Sequence, residues 1–139
     1  MVGGGRSDAV GPVDRDDLGR AADVNMAATW QALARLAGRT IEQVGNVQLF
    51  TTGIPAAFFN GAMATGPSDD PERCVARSIE FMAEHGVPFL LWAREGVDGA
   101  LLEAGRAAAL RDAGGPPAMA WSPISPPPPA RPDLEISDV

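Results

Sequence analysis

The chain has 139 residues, 45% of them hydrophobic and 21% charged, a balance that suits one globular domain. Its net charge is −7 and its eleven basic residues are all Arg with no basic run, so neither nucleic acid nor an anionic membrane is an expected partner. A single cysteine, Cys74, excludes an internal disulfide and suits a reducing cytoplasm, and the longest apolar run, VPFLLWA (87–93), is far shorter than the roughly 20 residues of a membrane helix.

The opening segment, MVGGGRSDAVGPVDRDDLGRAA (1–22), lacks the apolar stretch of a secretion signal and is expected to stay a mobile tail. Its three glycines follow no strand, so they do not read as a phosphate loop. The core is expected to begin at Asp23. In DVNMAATWQALARLAG, Met26, Trp30, Leu33 and Ala37 fall on one helix face, with Asp23 as the cap and Gly38 as the left-handed stop. Trp30 reads as a core anchor in preference to a ligand-stacking ring.

Two strands follow. NVQLFTT (46–52) alternates Val47, Leu49 and Thr51 with Gln48, Phe50 and Thr52, and AFFNGAMAT (57–65) is apolar on both faces, as a central strand is. The short GIPAA link predicts antiparallel pairing. A turn at Asn60–Gly61 would leave stubs too short to pair, so these two residues read as a bulge within the strand. DPERCVARSIEFMAEHG predicts a helix from the cap Asp70 and first-turn Pro71 to Gly86, burying Val75, Ile79 and Met82 with Phe81 beside them. VPFLLWA is then a short, fully apolar strand, reached by a helical crossover. DGALLEAGRAAALRDAGG predicts a helix from Asp98 to Gly114, with Leu101, Leu102, Gly105 and Ala109 inward, and AMAWS (118–122) a last strand.

The order helix, strand, strand, helix, strand, helix, strand is that of an α+β, or mixed α/β, sandwich over residues 23–122. Residues 123–139 form a proline-rich spacer, SPISPPPPARP, and then DLEISDV, which alternates like the opening of another strand.

The chemistry-bearing residues are sparse. A helix start holds anions well, but Asp69, Asp70 and Glu72 crowd the one at 70–72, Pro71 lacks an N–H, and Arg73 is the only nearby cation. That helix start reads as occupied by its own side chains. His85, the only histidine, has no second ligand or nucleophile near it in sequence and suits the helix C-terminus. Cys74 reads as a quiet, part-buried thiol. Arg73, Arg77, Glu80 and Glu84 read as a solvated ion-paired face.

Three stretches, TTGIPAAFFNGAMAT, MAEHGVPFLLWA and LLEAGRAAALRDAGGPPAMAWSP, resemble the N-terminal, non-catalytic domain of two-domain GNAT-type N-acetyltransferases of the sort found in actinobacteria. The tail RPDLEISDV is similar to the joint and first strand of their catalytic domain, which implies that the chain stops where that domain begins. A catalytic GNAT domain holds the pyrophosphate of acetyl-CoA on a loop of the form Gln/Arg-x-x-Gly-x-Gly/Ala between its fourth strand and the next helix. Here GPSDDPE takes that position, and no stretch fits the motif; RLAGRT (35–40) comes nearest, but it ends in Thr and closes a helix.

The resemblance therefore implies a cytoplasmic scaffold or interaction domain with no catalytic residue, metal or cofactor of its own, acetyl-CoA belonging to the catalytic half. Its implied partners are a GNAT catalytic domain or a second copy. It also implies that the strands AFFNGAM and FLLWAR lie side by side and splay, so that Phe59, Asn60, Met63, Trp92 and Arg94 line a pocket for a small acidic ligand. In the plainer alternative Phe59, Met63 and Trp92 are core and Asn60 satisfies backbone. An acetyl-CoA-dependent N-acetyltransferase and a small-ligand binding module remain as further readings.

Overall fold

A computed structural model describes residues 14–115, and they form a mixed α+β fold of three helices and a four-stranded mixed sheet. Helix α1 (Arg15–Leu36) leads into strands β1 (Ile41–Val44) and β2 (Val47–Thr51), a single 3₁₀ turn (Ala57–Phe59) and strand β3 (Asn60–Ala64). Helix α2 (Pro71–His85), strand β4 (Leu90–Trp92) and helix α3 (Gly99–Ala107) complete it. The strands lie in chain order; β1, β2 and β3 pair antiparallel and β4 runs parallel to β3. A parallel neighbour needs a crossover, and α2 supplies it.

The period-2 alternation of β2 sends its residues to two cores, one on each face of the sheet. Val47 and Leu49, with Ala62 and Ala64 of β3, meet Cys74, Val75, Phe81 and Met82 of α2 and Leu101 and Ala104 of α3. Phe50 and Met63 point the other way, against Ala27, Trp30 and Ala34 of α1. One polar residue on that face, Gln48, is buried and fully used: its Nε2 donates to the Ala27 carbonyl at 2.8 Å, and its Oε1 accepts from Gln31 Nε2 at 2.8 Å. These bonds pin α1 to the sheet as they satisfy a buried amide.

Several sequence expectations hold. Asp70 caps α2 by accepting from the Arg73 N–H at 3.1 Å, Pro71 opens the helix, and Gly86 closes it at φ 64°. Gly38 stops α1 in the same left-handed way. The β2–β3 pair is antiparallel and β3 is central.

Other expectations are corrected. Helix α1 starts at Arg15, eight residues before Asp23, so Asp23 is an interior residue and not a cap. The inward face of α1 is Ala27, Trp30 and Ala34; of the predicted stripe only Trp30 is buried, while Met26, Leu33 and Ala37 are exposed. Small residues win because they let the helix approach the sheet closely. β1 is an additional strand. A two-residue loop with Gly45 at φ 54° joins it to β2, and Gly-Asn between VxxV-like runs is the hairpin signal that marks it. Residues 57–59 are a 3₁₀ turn and not strand, and no bulge follows, since Thr51 pairs with Asn60 and Phe50 with Gly61 in unbroken register. Gly61 is glycine for another reason: an added Cβ would sit 2.9 Å from the Phe50 ring and 3.0 Å from Trp92.

Helix α3 ends at Ala107, well before Gly114. Leu110 folds back, its N–H donating to the Gly105 carbonyl at 3.0 Å, and the turn places Ala109 at φ 62° and exposed. The start is as expected, with Asp98 at the N-cap position of α3, but its carboxylate makes no cap hydrogen bond and instead accepts from the Arg94 N–H at 2.8 Å. The predicted strand 118–122 and the proline-rich segment lie outside the described residues.

Candidate functional site

Asn60 organises the top of the sheet. It opens β3 and is fully buried. Its Oδ1 accepts from Thr51 Oγ1 at 2.8 Å and from the Thr52 N–H at 3.1 Å. Its Nδ2 donates toward the carbonyls of Ile54, Ala56 and Pro88, at 2.8, 3.0 and 3.1 Å. One amide thus fixes the loop 52–56 and anchors the entry to β4, and no lone pair or N–H is left over for a ligand.

That loop delivers the 3₁₀ turn and two aromatic rings to the surface. Phe58 is 52% exposed and Phe59 37%, so each has one face in water and one on protein. Phe58 stands edge-on to Trp30 (centroids 5.5 Å apart) and to Trp92 (5.7 Å), and Phe59 edge-on to Phe58 (5.6 Å). Beneath them Trp30 stacks on Phe50 at 5.1 Å. These offset and T-shaped geometries are the ones the ring quadrupoles favour. The helix extends the apolar surface: Met26 and Leu33 are the i−4 and i+3 neighbours of Trp30, and they are 49% and 42% exposed.

Beyond β4 the seam between α1 and the β4–α3 corner is ionic. Arg94 Nη2 lies 2.7 Å from Asp23 Oδ2, a close ion pair whose angle does not aim an N–H at the oxygen. Arg20 approaches Asp23 at 3.2 Å and Asp98 at 3.4 Å. Two guanidiniums and two carboxylates leave this corner with no net charge. Gly19 makes room for it, because a Cβ there would overlap the Arg94 guanidinium.

The five predicted site residues are thereby divided. Met63 and Trp92 are register partners on adjacent, hydrogen-bonded strands, with no gap opened between them at that level, and both face α1. Phe59 covers the same face from the 3₁₀ turn, Arg94 follows two residues after Trp92, and Asn60 sits on the top edge with its amide consumed. Trp30 and Phe58 are the members that sequence reasoning left out of the set. Phe58 carried a signal, as the neighbour of Phe59 in AFFNG, but a strand over 57–65 does not present both rings together as the 3₁₀ turn does.

On the opposite side, Arg77 makes a two-pronged contact with Glu42 of β1 at 2.7 and 2.8 Å and reaches Glu84 at 2.9 Å. The side-chain hydrogen bond to Arg77 holds both carboxyls below the usual carboxylate range, and the same bonds push the Arg77 guanidinium further up. Cys74 is buried, with Sγ 3.3 Å from the Val44 carbonyl. His85 Nδ1 lies 2.7 Å from the Phe81 carbonyl, so that nitrogen carries a proton. Among the described residues no cluster of three His, Cys, Asp or Glu side chains is placed to hold a metal ion, and no helix is long and apolar enough to cross a membrane. No family model, no curated protein and no solved structure matches the chain.

Proposed function

We propose that the chain is a non-catalytic GNAT-like domain that acts as a scaffold and interaction module and does not itself transfer an acetyl group. The observation that carries this reading is the uncovered apolar ridge of Met26, Leu33, Phe58 and Phe59 around the buried Trp30. A chain that placed these side chains for solubility alone would not line them up; such patches mark surfaces that another molecule covers. The finer fold assignment is supported by the run from β3 through a short loop into α2 and back to a parallel β4, the arrangement the resemblance implies. The non-catalytic assignment is supported by Asp70, whose carboxylate takes up the Arg73 N–H at the helix start, and by Glu72 in the same first turn. Both oppose a diphosphate there. The natural occupant of the ridge is a catalytic acetyltransferase domain, and in the isolated chain a second copy takes its place.

Sedimentation velocity across a concentration series tests this. Reversible dimerisation is expected, and Met26→Glu with Leu33→Glu should abolish it while leaving the melting temperature unchanged. A chain that stays monomeric at the highest concentration overturns the reading. Calorimetric titration with acetyl-CoA should show no binding; micromolar affinity would favour the N-acetyltransferase alternative.

A further inference from the structure

Among the described residues the buried side-chain polar atoms without a hydrogen-bond partner are Trp30 Nε1, Trp92 Nε1 and Arg94 Nη2. All three are donors, and all three belong to the α1 face of the sheet. Arg94 has its charge answered by Asp23. The two indoles have nothing. Buried donors left unpaired cost about 1–3 kcal/mol each, so two in one place call for an explanation. Trp30 is 5% exposed, and both indoles flank one ring, Phe58, whose centroid is 5.5 Å from the first and 5.7 Å from the second. Phe58 is half-exposed and sits on a one-turn 3₁₀ segment with no buried residue, so it is the outermost ring over the two indoles.

We infer that the seam between α1 and β4, roofed by Phe58, is a binding site for a neutral, planar aromatic molecule that presents carbonyl oxygen to the indole N–H groups of Trp30 and Trp92. The aromatic walls fit a flat ring edge-on or stacked. The donors specify an acceptor. Neutrality follows from the corner next door, where Arg20 and Arg94 are already balanced by Asp23 and Asp98, so a buried carboxylate would find no free cation. This site shares Phe58 and Trp30 with the docking ridge of the scaffold reading, but its test reads the indole peaks and not the oligomeric state, so the failure of one reading is distinguishable from the failure of the other.

The test uses the whole chain and three probes, benzamide, toluene and sodium benzoate. The chain holds three tryptophans, so a nitrogen–proton correlation spectrum shows three indole peaks, which Trp92→Phe and Trp121→Phe assign. Benzamide should move the Trp30 and Trp92 peaks downfield with a saturable, millimolar dependence, and toluene, the same ring without an acceptor, should bind about tenfold more weakly for each donor it leaves unmet. Benzoate should bind more weakly than benzamide. Trp92→Phe keeps the ring and removes one donor, so benzamide should lose about tenfold there. Three results overturn the proposal: indole peaks that do not respond, equal affinity for toluene and benzamide, or free-state peaks shifted strongly upfield. The last would mean that the N–H groups already point into the faces of Phe58 and Phe59 and lack nothing. The probe comparison is made on the unmodified chain, so it decides the matter even if Trp92→Phe does not fold.

Discussion

Replacing Asn60 by Ala should cost this fold about 3–4 kcal/mol, and the sum is built from its own contacts. Thr51 Oγ1 lies in a fully buried position and donates only to Asn60 Oδ1, at 2.8 Å. Oγ1 keeps the Gly53 N–H at 3.0 Å, but leaving its own hydroxyl proton without an acceptor costs about 2 kcal/mol. The half-buried Thr52 N–H loses the same acceptor, at about 1 kcal/mol. The carbonyls of Ile54, Ala56 and Pro88 lie nearer the surface and regain water, so they add little. The space left by the amide adds the remainder. Urea denaturation followed by circular dichroism reads the effect directly: with a slope near 1.5 kcal/mol/M, the midpoint should fall by roughly 2 M. Amide exchange at Thr52 should quicken in parallel. Asn60→Asp should be worse at neutral pH, because an anionic oxygen replaces Nδ2 opposite three carbonyls. Its folded-state pKa is then raised, so that variant should regain stability as the pH falls through that value. A midpoint loss below about 0.5 M for Asn60→Ala would refute the picture of one amide holding the loop and the entry to β4.

Ala109→Gly should stabilise the chain by about 1 kcal/mol, because Ala109 occupies a left-handed C-terminal position that Gly fills without a Cβ penalty; thermal denaturation checks it. Gly61→Ala should destabilise by about 1–3 kcal/mol, since its methyl would press on the packed rings of Phe50 and Trp92, and near-ultraviolet circular dichroism should change with it. The Glu42–Arg77–Glu84 cluster contributes stability that is present above the unfolded carboxylate pKa and lost as the pH falls through the depressed folded values of the two glutamates. Arg77→Gln should therefore raise the Glu42 and Glu84 titration midpoints in carboxyl-detected spectra and flatten the acid limb of the stability profile.

Legibility in the sequence followed how local each signal was. Helix α2 was readable because Asp70, Pro71 and Gly86 each act within one turn of where they stand. The two faces of β2 were readable from alternation alone. Helix α1 misled because the Met26–Trp30–Leu33 stripe is a real apolar stripe, only its outer flank faces away from the sheet; Ala27 and Ala34 are too small to register as a hydrophobic pattern, yet they set the inward face. Its early start was hidden because Arg20 is held by Asp23 and Asp98, and Asp23 also by Arg94, contacts of which two reach across more than half the chain. Asn60 was recognised as special but read as a bulge, since nothing local shows that Thr51, Ile54 and Pro88 converge on it. The aromatic cluster required Trp30, Phe58 and Trp92 to come together from three distant segments, which sequence spacing does not encode.

The corner of Arg20, Asp23, Arg94 and Asp98 joins two places 78 residues apart along the chain, between Arg20 and Asp98. A short stretch of helix around Gly19 has weak intrinsic persistence and leans on that distant partner to stay wound. The two extremities of the described fold are accordingly expected to melt as one cooperative unit: loosening the start of α3 unlatches the opening turns of α1, and a protease that finds either end open should soon find the other.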